Sequence, residues 1–294
     1  MTRIALVTDS TCDLPPQLVT TRGITVVPLT VSLDGHDYKD GVEITAAEFY
    51  AKLTAQSKTG TSQPTPALFA QAYRSLLEDH DRVFSMHISE GLSGTLASAQ
   101  QAAAEVGEGR VRVVDSEVVS MALGLLCLVA ADALAAGEGL DATEAEVARV
   151  RDSMRAYFTV ATLEHLRRGG RIGRATEMLG SVLQFKPVLC LAGGEVAPLE
   201  RVRTRGRALA RVLELVRSVD RGEGLCAIVA HAAAEETAEM FAQELEGVTD
   251  TLMVQPLGPV VGAHAGPGTV GVACYPAELH RLGLKLSSSE LLRR

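Results

Sequence analysis

Tryptophan is absent from this chain, and only six Phe and five Tyr stand among its 294 residues. Aliphatic side chains must therefore build the interior, and a stacking platform for single-stranded nucleic acid is disfavoured. The five cysteines (Cys12, Cys127, Cys190, Cys226, Cys274) form no C-x-x-C pair and have no Cys–His ligand spacing. That argues against a disulfide framework or a metal site and fits reduced, mostly buried thiols in a cytoplasmic protein. An almost wholly apolar run, Val118 to Ala131, is 14 residues. A membrane span needs ~20, so this run is expected to be a buried core helix, with no stable membrane insertion. The start, M-T-R-I-A-L-V-T-D-S, enters a strand at once and lacks the pattern of a signal peptide.

Enzyme signatures are missing too. No G-x-x-x-x-G-K-[ST] occurs, and no paired-carboxylate frame is recognisable. G-L-S-G-T at Gly91 to Thr95 has Thr where a nucleophile elbow needs its second glycine. G-P-G-T-V-G at Gly266 to Gly271 matches G-x-G-x-x-G literally but leads into a strand-like run, so it does not read as a dinucleotide site.

What remains is an α/β pattern. Hydrophobic content of 47% against 22% charged residues supports a sizeable core, and the length suits one large or two medium domains. R-I-A-L-V-T-D, the stretch Val83 to Ser89 and V-R-V-V-D-S read as strands alternating with helices, which predicts a parallel sheet covered on both faces. Ile24 to Leu33 is an apolar stretch rich in β-branched residues, with Pro28 marking a break or an edge. Thr45 and Glu48 form a capping box, and Thr95 to Val106, Ala-rich and free of Gly and Pro, reads as a helix. After about residue 155 the pattern changes, with strands joined across Gly193-Gly194 as a hairpin and others joined by helices. The expected organisation is an N-terminal domain 1–155 with a parallel α/β/α sheet, a smaller mixed-sheet α/β domain 156–286, and a frayed tail 287–294.

Candidate functional residues cluster at turns. Two glycines bracket Ser93 between a strand and a helix, so its hydroxyl lies at a helix mouth, where unpaired N–H groups favour an anion. The alternative is a serine that only caps its own helix. In T-S-Q-P-T-P, Thr61 and Ser62 stand either at a second helix mouth or in an ordinary loop. His264, among Gly and Ala, either pairs with backbone or donates to a bound anion. Net charge is −8, yet Arg151 to Arg211 holds eleven Arg and one Lys against five acids, or +7. That face is either solvated or suited to phosphate, nucleic acid or an acidic partner.

Seven motifs occur in the order and spacing of one family: T-D-S-T-C-D-L-P, T-S-Q-P-T-P, G-L-S-G-T, R-R-G-G-R-I-G, F-K-P-V-L, R-V-R-T-R and G-P-V-V-G-A-H-A-G-P-G. Over nearly its whole length the chain resembles the DegV family. The resemblance implies a two-domain α/β lipid carrier, with no catalytic residues and no cofactor, holding a long-chain fatty acid (C14–C18, such as palmitate) between its domains. It also implies that Thr61 and Ser93 hold the carboxylate with His264 nearby. An ATP-dependent fatty acid kinase would be the partner, making an acyl phosphate for phospholipid metabolism, with Arg171, Arg201, Arg203 and Arg205 as candidates for engaging phosphate or partner. Two other readings remain open: a serine-dependent lipid hydrolase or acyltransferase using Ser93 with His264, and a regulatory or nucleic-acid-binding module using the Arg-rich half.

Overall fold

The computed structural model describes residues 2–107, 109–179 and 185–282; the tail expected at 287–294 lies outside them. The first half runs β1 (Ile4–Asp9), α1 (Pro16–Thr21), β2 (Ile24–Val27), β3 (Thr30–Leu33), β4 (His36–Lys39), α2 (Ala46–Lys52), β5 (Thr59–Ser62), α3 (Pro66–Asp79), β6 (Arg82–His87), α4 (Thr95–Val106), β7 (Val111–Asp115), α5 (Met121–Ala135) and α6 (Leu140–Ser153). The second runs β8 (Arg155–Thr159), α7 (Glu164–Arg168), β9 (Lys186–Ala192), β10 (Glu195–Val202), α8 (Arg205–Arg217), β11 (Leu225–His231), α9 (Glu235–Leu245), β12 (Thr249–Pro256), α10 (Pro259–Ala265) and β13 (Val270–Pro276).

Three sheets result. β2-β1-β6-β7 is wholly parallel, and β10-β9-β8-β13-β11-β12 is mixed, with only the β11–β12 pair parallel. The expected parallel and mixed sheets are therefore both present, as is the hairpin joining β9 to β10. Reading 24–33 as one stretch missed a third sheet. Pro28 cannot donate to a ladder, and the chain turns there from β2 of the parallel sheet into β3 of a small antiparallel sheet, β4-β3-β5.

Side-chain alternation stacks these parts. On β1 and β6, Ala5, Val7 and Val83 face α3 and α4, while Leu6, Phe84 and Met86 face α5. α5 also packs against β11 and β13 of the mixed sheet, whose other face carries α8 and α9. The order of layers is thus helices, parallel sheet, α5, mixed sheet, helices. A helix between two sheets has no solvent side, which is why α5 carries M-A-L-G-L-L-C-L-V-A-A with no polar stripe, twelve of its fifteen residues being buried.

Candidate functional site

The inner face of the mixed sheet, where it meets the start of α5, is paved with residues that barely reach out of the sheet. Ala156 of β8, Gly271 and Ala273 of β13 and Ala230 of β11 line one wall of a cavity, and Ala122 and Ala265 lie on other walls. Larger side chains elsewhere between the same layers, such as Leu125, Leu128, Ile228 and Tyr275, set their separation, so these methyl groups and hydrogens leave a void unfilled. The cavity holds about 140 Å³, which is about ten water-sized spheres at roughly 10–15 Å³ each. Leu29, Ile88, Leu92, Leu166, Val260 and Val272 make most of its remaining wall aliphatic.

The residues singled out in the sequence meet at this cavity: Thr61, Ser93, Arg171 and His264 all line it, together with Thr11. Thr61 is placed by β5, where it pairs with Val31, so it is neither at a helix mouth nor in a loop. The cap of α3 is instead Thr65, whose hydroxyl accepts from Leu68 N–H. Ser93 stands one residue before the N-cap Gly94 of α4, and its Oγ accepts from Thr95 N–H at 3.3 Å and pairs with Thr95 Oγ1 at 2.9 Å. The approach at Gly94 is close: a Cβ on it would lie 2.6 Å from the amide nitrogen of the exposed Gln63 side chain. The T-S-Q-P strand end and the G-L-S-G turn thereby pack against each other, which brings Thr61 and Ser93 to one cavity.

His264 rides on α10, a helix that the sequence reading left unassigned. Its Nε2 lies 2.8 Å from Thr61 Oγ1, while its Nδ1 is buried with no hydrogen-bond partner among the described residues. The imidazole rests on Gly169, where any side chain would collide with Nδ1; this accounts for the first glycine of R-R-G-G, while the second, Gly170, has a φ of +69°. Burial, with the Arg171 charge added, pushes the His264 pKa down to about 4, so the ring is neutral at pH 7. Arg171 is half-buried and held by two carbonyls, Nε on Leu92 and Nη1 on Gly169.

The framework beneath comes from the strand ends. Asp9, fully buried at the carboxyl end of β1, accepts from Thr11 N–H and Oγ1 with one oxygen, and from Ile88 N–H with the other. One carboxylate thus fixes both Thr11 and the segment leading to Ser93, while His87 Nδ1 lies 3.1 Å away and His87 Nε2 pairs with Ser85 Oγ, which pairs in turn with the Tyr73 hydroxyl. Asp13 accepts from Gly258 N–H at the start of α10 and from Ser120 Oγ, and Asp40 accepts from Ser10 Oγ.

The other arginines are placed away from the cavity wall. Arg201 donates to the Glu177 carbonyl with its guanidinium 5.4 Å from the Phe185 ring centre, and Arg205 donates to the Gly268 carbonyl. Arg203 is exposed. Much of the basic segment is neutralised locally, by Arg151–Glu117, Arg167–Glu164, Arg168–Glu164 and Arg211–Glu200 pairs. All five cysteines are buried and free.

Fold and cavity together define a class: a layered α/β protein with a mostly aliphatic cavity that hydroxyl, imidazole and guanidinium groups also line. Within that class the chain belongs to the DegV family, since the family profile described as "Uncharacterised protein, DegV family" matches residues 3–277. A DegV domain-containing protein of Deinococcus radiodurans is 43% identical over 277 residues, which are 93% of this chain and 98% of that one. A solved DegV family protein from Thermus thermophilus, described by its fatty acid binding, has a TM-score of 0.88 at 42% identity, covering 93% of this chain and 99% of that one. A stearic-acid-binding protein from Eubacterium ventriosum has a TM-score of 0.85 at 27% identity, covering 93% and 98%. No helix among the described residues is long and apolar enough to cross a membrane.

Proposed function

We propose that this protein binds one long-chain fatty acid with the cavity as its slot, carboxylate toward Thr61, Ser93 and His264, and presents that carboxylate to a partner kinase. The carrying observation is the convergence of these three side chains on one cavity whose wall is mostly aliphatic. Transfer of some fifteen methylenes from water is worth roughly 12 kcal/mol gross at ~0.8 each, reduced considerably by ordering and association costs. The acidic head must enter hydrogen-bonded or its burial offsets that gain. Here the donors stand in relays. With Nε2–H of neutral His264 donating to Thr61 Oγ1, the threonine proton is free for a carboxylate oxygen; Thr95 does the same for Ser93. Arg171, immobilised by its two carbonyl contacts, adds positive charge to the same end. On this reading the lobes built on the two sheets, 1–155 and 156–286, flank the ligand, and the protein is a cytoplasmic carrier.

Arg171 at the polar end and the exposed Arg203 are the groups best placed to meet a phosphate donor or an acidic partner surface. Geometry weighs against the hydrolase reading, because the hydroxyl of Ser93 pairs with Thr95 and the imidazole of His264 with Thr61, so no serine–histidine relay is assembled. Displacement of a fluorescent acid from delipidated protein tests the proposal. Ser93→Ala and Thr61→Val are each expected to weaken palmitate about tenfold, the worth of one hydrogen bond to a charged group. Unchanged affinity in both, or ester turnover abolished by Ser93→Ala, would count against it.

A further inference from the structure

A second cleft of about 390 Å³ opens beside the slot, bounded by Glu117, Arg151, Arg155 and the tip of the β9–β10 hairpin. The two spaces have three lining residues in common: Ala156, Tyr157 and Leu191. Ala156 ends at its Cβ. Tyr157 belongs with the cluster under α8 and α9, on the other face of the sheet. Of the three, Leu191 alone extends a large side chain along the inner face, where it packs against the central core.

The partition is rigidly mounted. Buried Ser89 donates its hydroxyl to the Gly194 carbonyl at 2.8 Å, and Arg174 Nη2 donates to the Ala192 carbonyl at 2.9 Å, so the hairpin tip directly after Leu191 is held at two points. The sheet register also sets it apart from His264. Ala156 pairs with Ala273, three residues along each strand from the Thr159–Val270 pair that lies toward α10 and His264. Beyond Leu191 the surface turns charged, with Arg151 paired to Glu117 and Asp152, and Arg155 donating to the Asp152 and Met154 carbonyls. A plain alkyl tail passing the partition would leave an aliphatic wall for an ionic one.

We infer that Leu191 is a specificity-determining residue: it closes the slot against the second cleft and so sets the longest unbranched acid the protein accepts. The inference rests on the fatty-acid reading above. Acids that end before Leu191 gain with every methylene, roughly fourfold in Kd, and those that reach it gain nothing further or lose. Leu191→Ala removes three carbons and joins the two spaces; Leu191→Phe pushes the stop inward.

The test measures dissociation constants for the saturated C14, C16, C18, C20 and C22 acids with delipidated full-length protein. The length of tightest binding is expected to move up by two to four carbons in Leu191→Ala and down by at least two in Leu191→Phe, with C14 affinity of the Ala variant within threefold of wild type. Should Leu191→Ala fail to fold by circular dichroism, the Phe variant alone decides. Wild-type protein that binds palmitate, with an optimum unmoved by either substitution, overturns the assignment of Leu191 alone. Wild-type protein that binds no acid overturns the underlying reading as well.

Discussion

A neutral imidazole next to a guanidinium is the least ordinary feature at the level of single residues. Histidine normally titrates near pH 6.5, but His264 is desolvated and faces the Arg171 charge, and both effects oppose a second cation there. A bound carboxylate reverses the second effect, since it places a negative charge beside the ring. Following the His264 ring by NMR, we expect titration near pH 4 without ligand and at least one unit higher with palmitate bound. An ordinary value in both states would mean that the ring is solvated and not part of the head site. At this scale the structure brings four side chains singled out in the sequence, Thr61, Ser93, Arg171 and His264, to one cavity. Thr61, Ser93 and His264 stood out because small hydroxyls beside glycine and proline contribute little core volume, and a histidine among glycines has no local partner; Arg171 came only from the family resemblance. The sequence did not show how Thr61 and His264 pair across 203 positions, because that contact depends on α10 docking beside β5.

Among the elements, strand faces decide whether there is a cavity at all. Ala156, Ala230, Gly271 and Ala273 occupy inward positions of three strands, and their smallness is the cavity. Ala273→Leu is therefore expected to weaken palmitate binding more than tenfold while changing ligand-free stability by no more than about 1 kcal/mol, since an empty slot absorbs the extra volume that a filled core would resist at about 1–3 kcal/mol. Binding assays and urea denaturation of the same preparation check both halves, and a large stability loss with intact binding would contradict the picture.

The docking of α10 offers a second test. Burial, with the nearby Asp9 charge, raises the Asp40 pKa to about 7, and Asp13 is raised as well, chiefly by burial. The folded state therefore holds a proton that the unfolded chain releases near pH 4. This contribution is present at low pH and is lost as pH rises toward 7. Between pH 5 and pH 8 wild type should lose about 2 kcal/mol more stability than Asp40→Asn, measured by chemical denaturation; equal losses would sink the assignment. Helix limits such as Thr95–Val106 and the Thr45–Glu48 capping box were legible because propensity and caps are local. The small antiparallel sheet and α10 were not, since β4 has no apolar alternation and P-V-V-G-A-H-A is short and held by Asp13 and Tyr50 from distant segments.

For the whole molecule, the decisive arrangement is a helix buried between two sheets, with a slot where its first turn meets small residues. The all-apolar run of α5 announced a buried helix, and the change of pattern near residue 155 coincides with the first strand of the mixed sheet. What pattern alone could not supply is that the layers meet imperfectly, because a void is a property of facing surfaces contributed by both halves of the chain. The central claim is that this void exists to hold a single fatty acid. The most direct check is a native mass spectrum of protein purified from a bacterial host, recorded before and after denaturation. The account predicts one adduct per chain with the mass of a C14–C18 acid, released on unfolding and recovered as free acid by solvent extraction. Protein that carries no adduct, and acquires none after incubation with palmitate, would contradict it.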